Sequence, residues 1–453
     1  MRRVRRLPLI VVVIGAFVAT GVVTSLQRAT NPSQLPSGLA VSLNAESTAL
    51  YCTGISANPG RPGRVTFYNT SPASRRLSVS VVSDKGHTFT TSIELSGHAS
   101  QSIEPSAVDP GNNFAVAVQI NGGGVVGEEI AGTRHTEVPC VANGVTQWYA
   151  TGFNTLVGSS AYLSVYNPTA TTAVFNASIY TTSGFSAPQS FQGLSVPAHT
   201  QSEINLGTEV VDTANVGVGL MVVRGSIVVV GVQDANGVVS LDPGETSTAN
   251  ETWFPLVTTA QGATAQIRVA NPSHVRADVT LDVTLGKYHV VAQTLSLAPF
   301  STGLINVTPN PAIPAAGFAN LTLHSSAPVV SALATGTSTW MALSSPFTPG
   351  NAFLVNDFTQ FGFGAATVTN TSSVPITVNV TSYRRTTLKV NSEVGTITLA
   401  SGQSQSLFQS VPSFSSKPSA TFLVSSSKLS MVVSLTLATR PPGLYVVAPL
   451  DGR

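Results

Sequence analysis

The sequence predicts an all-β chain: an N-terminal transmembrane helix followed by four tandem immunoglobulin-like β-sandwiches of about 100 residues each. Three observations carry that expectation. A strand ending in Asn and a polar turn occurs four times at a near-constant interval. A second marker follows each copy in register. The composition, finally, is 42% hydrophobic but only 9% charged, with the polar balance held by Ser, Thr, Asn and Gly, a mixture that favours strands and tight turns over helices.

The first marker reads Arg-Val-Thr-Phe-Tyr-Asn-Thr-Ser at 64–71 and Tyr-Leu-Ser-Val-Tyr-Asn-Pro-Thr at 162–169. It returns as Gln-Ile-Arg-Val-Ala-Asn-Pro-Ser at 266–273 and Ala-Thr-Val-Thr-Asn-Thr-Ser at 366–372. Its Asn residues, Asn69, Asn167, Asn271 and Asn370, lie 98, 104 and 99 positions apart. An Asn side chain bonds main chain two residues on, and Pro or Thr suits the next turn position, so these four read as structural turn residues. The second marker is an apolar strand, a small polar turn and a new strand: Leu-Ser-Gly-His-Ala-Ser from 95, Leu-Ser-Val-Pro from 194, Leu-Ser-Leu-Ala-Pro from 295 and Ile-Thr-Leu-Ala-Ser-Gly from 397.

Within each repeat a short aromatic or apolar strand comes first (Tyr51; Trp148 and Tyr149; Trp253 and Phe254; Phe353 and Leu354), and the Asn strand follows. A strand alternating at period two comes next, as at 77–81 and 279–283, with one face for a core and one for water. Two apolar strands close each repeat. A further segment at 445–450 resembles the opening strands, which leaves two arrangements open: a row of sandwiches, or a closed ring with two propeller blades per repeat.

At the N-terminus, Arg2, Arg3, Arg5 and Arg6 precede an apolar run over 9–26. Eighteen residues at a 1.5 Å rise span about 27 Å, close to the hydrocarbon thickness of a bilayer. Four positive charges before the run against one, Arg28, after it predict a single-pass anchor over residues 1–28, N-terminus inside and bulk outside the cytoplasm. Cleavage near Ala19 would make the same segment a signal peptide. Residues 29–48, with two Pro-Ser pairs, read as a linker, and the sandwiches are expected at 49–144, 145–248, 249–348 and 349–453.

The formal charge of +2 is set by the N-terminus, where five of 22 basic residues stand with no acid; beyond it 17 basic residues face 20 acidic ones. With no basic run, nucleic acid is not an expected partner. Scarce carboxylates also predict stability that depends only weakly on pH. Cys52 and Cys140, the two cysteines, bracket the first repeat. In an exported chain they read as one disulfide, worth roughly 4 to 5 kcal/mol in the chain-entropy model; a redox pair or metal ligands would need a CxxC or nearby His that the sequence lacks.

Chemistry is sparse. The seven His are scattered, and no cofactor, metal or catalytic set is expected. The stretch from Gly336 to Trp340 lacks the second Gly of a serine-hydrolase elbow. Residues 234–237 read as a hairpin turn rather than a calcium loop. Glu128 and Glu129 are adjacent, so a strand would point them to opposite faces. Trp148, Trp253 and Trp340 are the Trp residues available to stack on sugar, though their place in the repeats favours packing.

The Arg-rich anchor and the recurring Val-x-Asn-[Thr/Pro]-[Ser/Thr] strands resemble a family of uncharacterised actinobacterial membrane-anchored envelope proteins, a domain of unknown function. The resemblance covers the whole chain and implies placement, not activity. The expectation is a non-enzymatic, membrane-tethered extracytoplasmic scaffold or recognition protein, with an envelope protein or polysaccharide as partner. The alternative is a carbohydrate-binding protein that uses aromatics on one repeat.

Overall fold

A computed structural model describes residues 48–57, 62–130, 137–259, 264–285, 288–308, 310–314, 318–336, 341–344, 352–355, 365–385, 390–406, 420–426, 431–436 and 444–446. The expected anchor lies outside the described residues, as does the linker save Thr48. Among the described residues no helix is long and apolar enough to cross a membrane. What they form is strand, with single 3-10 turns at Pro105–Ala107, Gln189–Phe191 and Leu206–Thr208.

Module 1 consists of β1 (Ala49–Ser56), β2 (Arg64–Asn69), β3 (Arg75–Ser83), β4 (Thr88–Leu95), β5 (Ser100–Ile103), β6 (Asn113–Ile120), β7 (Val125–Ile130) and β8 (Glu137–Pro139). Its two sheets run β1-β6-β3-β4 and β5-β2-β7-β8. Module 2 has β9 (Gln147–Phe153), β10 (Ser159–Tyr166), β11 (Ala173–Thr181), β12 (Gly184–Ser186), β13 (Leu194–Val196), β14 (Gln201–Asn205), β15 (Val216–Arg224), β16 (Val228–Ala235) and β17 (Val238–Asp242). There β9-β15-β11, with β12 and β13 on β11, faces β14-β10-β16-β17.

Module 3 has β18 (Ala249–Thr258), β19 (Thr264–Asn271), β20 (Ala277–Leu285), β21 (Tyr288–Leu297), β22 (Ser301–Thr308), β23 (Phe318–Gly336) and β24 (Met341–Ser344). The long β23 serves both sheets, pairing with β18 and β20 through its first half and with β19 and β24 through its second. Module 4 has β25 (Ala352–Val355), β26 (Ala365–Asn370), β27 (Ile376–Arg385), β28 (Val390–Leu399), β29 (Ser404–Ser406), β30 (Ala420–Ser426), β31 (Met431–Thr436) and β32 (Leu444–Val446). Its sheets, β25-β30-β27-β28 and β29-β26-β31-β32, repeat the order of module 1. The fold class is therefore all-β, built of two-sheet sandwiches.

This strand order departs from the immunoglobulin order, which groups strands one, two, five and four against three, six and seven. Here strand one pairs with six, and strand seven pairs with two. The cause is the connection between them. In module 1, β6 ends at Ile120 and the chain crosses to the other sheet through Gly122, Gly123 and Gly124, all with positive φ. Strand seven thus leaves the edge of strand six free for strand one. Module 3 makes the same crossing inside β23 without a turn.

Period-two alternation puts Leu77 and Val79 of β3 into the module 1 core with Leu50, Phe67, Phe114 and Val116. Equivalent cores form around Phe153, Leu163, Phe175 and Val218 in module 2 and around Phe254, Ile267, Leu281 and Leu321 in module 3. Of the segment at 445–450 only Tyr445 and Val446 are among the described residues, and they lie in β32, which pairs with β31 as the closing strand of module 4, equivalent to β8 and not to an opening strand.

The closing strands also settle how the modules are arranged. β8 lies against β17, β17 against β24, β24 against β32, and β32 back against β8. The four modules form a closed ring with these strands innermost. It is not a propeller, because every module keeps two packed sheets. Burial follows from closure: β16 and β17 are covered on both faces, since β1 of module 1 packs on the side of their sheet away from the module 2 core. In the same way β9 packs on β19 and β23, and β18 on β31.

Candidate functional site

The four Asn residues build one repeated device. Each is wholly buried. Its Oδ1 accepts from the backbone N–H two residues on, at 2.9 Å from Ser71, Thr169 and Ser372 and 3.1 Å from Ser273. Its Nδ2 donates to the carbonyl four residues on: Ala73 at 2.7 Å, Thr171 at 2.8 Å, Val275 at 2.7 Å and Val374 at 2.8 Å. The same Nδ2 reaches across the sandwich to the second marker, donating to Leu95 and Ser96, to Val196 and Pro197, to Ala298, and to Leu399 and Ala400. The two sequence markers are thus the halves of one latch. Only an amide, with an acceptor and two donors on one planar group, satisfies both halves at a buried position.

Backbone completes the latch. His199 N–H donates to the Asn167 carbonyl and Gly402 N–H to that of Asn370. The residue at this turn holds a left-handed conformation in every module: His98 (φ 52°), His199 (φ 55°), Phe300 (φ 54°) and Gly402 (φ 67°).

Cys52 and Cys140 form a disulfide with Cα atoms 4.6 Å apart. It joins β1 to the residue just past β8, tying the two sheets of module 1. Trp148 is buried, its Nε1–H donating to the Pro243 carbonyl at 2.8 Å, and Trp253 is half-buried on β18. Trp340 and the rest of the elbow-like stretch after Gly336 lie outside the described residues. At 234–237 the chain makes the β16–β17 hairpin, with Asn236 and Gly237 at positive φ and Gly237 N–H on Asp234 Oδ1. Among the described residues no three His, Cys, Asp or Glu gather in a way that could hold a metal ion.

Glu128 and Glu129 are both fully buried on β7. Alternation sets Glu129 on the side of Gly127, where a Cβ would meet the Cys140 sulfur and Phe67, and Glu128 on the other. They do not share a site. Burial pushes the Glu129 carboxyl well above the ordinary range, partly offset by the Thr53 backbone.

The joints between modules carry most of the remaining buried polar chemistry. Modules 1 and 2 meet through Tyr51 and Tyr166, ring centroids 5.9 Å apart, and through a buried 2.7 Å hydrogen bond between the Thr53 and Ser164 hydroxyls. Val138 packs there with Val230, Val232 and Leu241. Gly54, at φ 107°, permits the close approach, since a Cβ would press on Val230 and Leu241.

Modules 2 and 3 meet differently. Arg268 Nη1 donates to the carbonyls of Gly152 at 2.7 Å and Ala214 at 2.8 Å. Asn215 Nδ2 donates to Gly303 O, and the Thr302 hydroxyl donates to Asn215 O. Glu245 is partly exposed along its length, but its carboxyl is enclosed, with Oε1 accepting the Ser331 N–H at 3.1 Å. That enclosure, with Asp242 nearby, pushes its pKa up to about 8. Arg268, nearly buried, is pushed down to about 10. A parallel bridge between Thr181 and Ser301 fuses sheets of the two modules across this joint. At the next joint Asn320 Nδ2 donates to the Ser404 hydroxyl of module 4 at 2.6 Å.

Comparison with known proteins adds little that is specific. Residues 136–244 match a family described as a family of unknown function, DUF5719. The matched stretch opens just before β8 and ends just past β17, so it takes in the last strand of module 1 and all of module 2. No curated protein matches the chain. Among solved structures, Thermotoga maritima 1070 is similar at 15% identity and a TM-score of 0.20, over 22% of this chain and 94% of that one. A tetra-tandem repeat from the extending region of a large adhesion protein is similar at 13% identity and a TM-score of 0.12, over 91% and 98%. Likenesses this loose carry no argument about fold or role.

Proposed function

We propose that the chain is a non-enzymatic scaffold or recognition protein of the cell envelope, tethered by residues 1–28 and holding its four modules outside the cytoplasmic membrane. The observation that carries this reading is the closed ring. Its buried amides, its Arg268 guanidinium and its joint hydroxyls are engaged in latching turns and fastening modules, the work of a body that presents surface. The disulfide supports an oxidising compartment. The Arg-rich start and the apolar run over 9–26 support a tether with the N-terminus inside.

Fractionation tests this directly. A C-terminally tagged full chain is expected in the membrane fraction, with its tag cleaved by protease added to intact cells, and deletion of residues 2–28 should move it out of the membrane. A soluble, protease-protected full chain would contradict the proposal. A second reading, carbohydrate binding through aromatic side chains, is favoured by one group of rings at the joint of modules 2 and 3.

A further inference from the structure

We infer that the joint of modules 2 and 3 carries an aromatic platform for a neutral sugar ring; this rests on the carbohydrate-binding reading. Four rings meet there, two from each module. Tyr180 of β11 stacks on Phe300 at 6.5 Å with 10° between planes, Phe185 of β12 lies 5.3 Å from Phe300, and His274 meets Phe300 edge-on at 4.7 Å. Joining the modules accounts for Tyr180, which is buried with Ala270 and Val330. It does not account for Phe185, whose side of the cluster is open: the residue is 52% exposed on a three-residue strand.

Phe300 is the sharper anomaly. It occupies the left-handed latch position, filled elsewhere by His98, His199 and Gly402, a conformation that disfavours bulky side chains. The Gly in module 4 shows that the turn itself needs no aromatic. Since His98 and His199 hold the same backbone conformation, what sets Phe300 apart is its ring, carried in a cluster that is open to solvent at Phe185.

The surroundings select the ligand class. The segments bearing the rings, 180–186, 272–275 and 298–301, contain no Lys, Arg, Asp or Glu, and Arg276, the next residue along, is already paired with Asp278. They offer hydroxyls instead: Thr181 and Ser183 hydrogen-bond each other at 2.8 Å on the exposed side, while the Ser273 hydroxyl is taken up by the module 3 latch, donating to Asn271 Oδ1. A pyranose has an apolar C–H face to lie on Phe185 and Phe300 and a rim of hydroxyls to meet these groups and the His274 ring.

The test is calorimetric titration of the detergent-solubilised full chain with cellohexaose, maltohexaose and mannohexaose, alongside an aromatic peptide and a broad glycan array. Phe185→Ala and Phe300→Gly remove one ring each, and the Tm of each variant is recorded alongside to show that the joint stays folded at the titration temperature. The expected result is binding of at least one neutral hexose oligomer, weakened roughly three- to tenfold by either variant, with Phe89→Ala on module 1 without effect. Sugar binding that neither variant alters would overturn the platform and leave the carbohydrate reading standing. No binding to any glycan would overturn both. Preference for the peptide would overturn the assignment to sugar.

Discussion

The joint between modules 1 and 2 and the joint between modules 2 and 3 use the same places in the module and fill them with different chemistry. Ser164 and Arg268 both stand three residues before a latch Asn, on the strand that packs against the opening strand of the preceding module. Ser164 meets Thr53 through one hydroxyl pair beside an apolar patch. Arg268 reaches past the equivalent bulge to two main-chain carbonyls, in a joint that also holds Asn215, Thr302 and Glu245. The module is thus a common part, while each joint is individually specified. Swapping neighbours would bury Arg268 without carbonyls aimed at it, or leave those carbonyls facing a short Ser. That mismatch makes the two joints non-interchangeable.

If the comparison is right, equivalent substitutions should have unequal effects at joints and equal effects at latches. Arg268→Ala leaves the Gly152 and Ala214 carbonyls without their donor and opens a cavity, and should lower unfolding free energy by about 4 kcal/mol in urea titration. Ser164→Ala should cost only about 1 kcal/mol. Similar costs at both sites would break the contrast. Asn→Ala at Asn69, Asn167 or Asn271 strips several buried hydrogen bonds from the same geometry, and should cost about 3 kcal/mol at each site. A spread wider than about 1 kcal/mol among the three would show that the latch is not one device.

The smallest expected effect is on pH. Glu129 and Glu245 both have raised folded pKa values, so the stability they confer as neutral groups is fully present below the unfolded carboxyl pKa and is lost as pH rises, through about 8 for Glu245. Tm should therefore be a few degrees higher near pH 5 than near pH 8, a dependence that Glu245→Gln should flatten. A Tm that climbs with pH over this range would contradict the assignment. Scarce charge alone implied a nearly flat profile; two enclosed carboxyls restore a slope and favour acid.

What the sequence made legible was local. The Asn strands, the second marker and the alternating strands all announce themselves within a few residues, and with them the all-β class. That the two markers bond each other was not legible, because the partners lie 26 to 30 residues apart and any turn would satisfy either alone. Nothing around Arg268 in the sequence shows that its guanidinium crosses to another module, since the carbonyls it meets lie 54 and 116 residues away. The aromatic cluster is hard to see in the sequence because its members are single residues far apart in the chain. A signal did exist: Ala-Pro-Phe stands at 298–300 where the other modules place His or Gly at the turn. Ring closure left only an indirect trace: the extra segment at 445–450 made a closed ring one of two arrangements, but nothing local shows that β8 and β32, closing modules 1 and 4, lie together.

That closure is most directly tested by small-angle X-ray scattering from residues 49–453. A closed ring of this size should approach the compact-domain scaling, with a radius of gyration of roughly 22 to 26 Å. An open row of four modules would instead give about 40 Å, and that value would contradict the account.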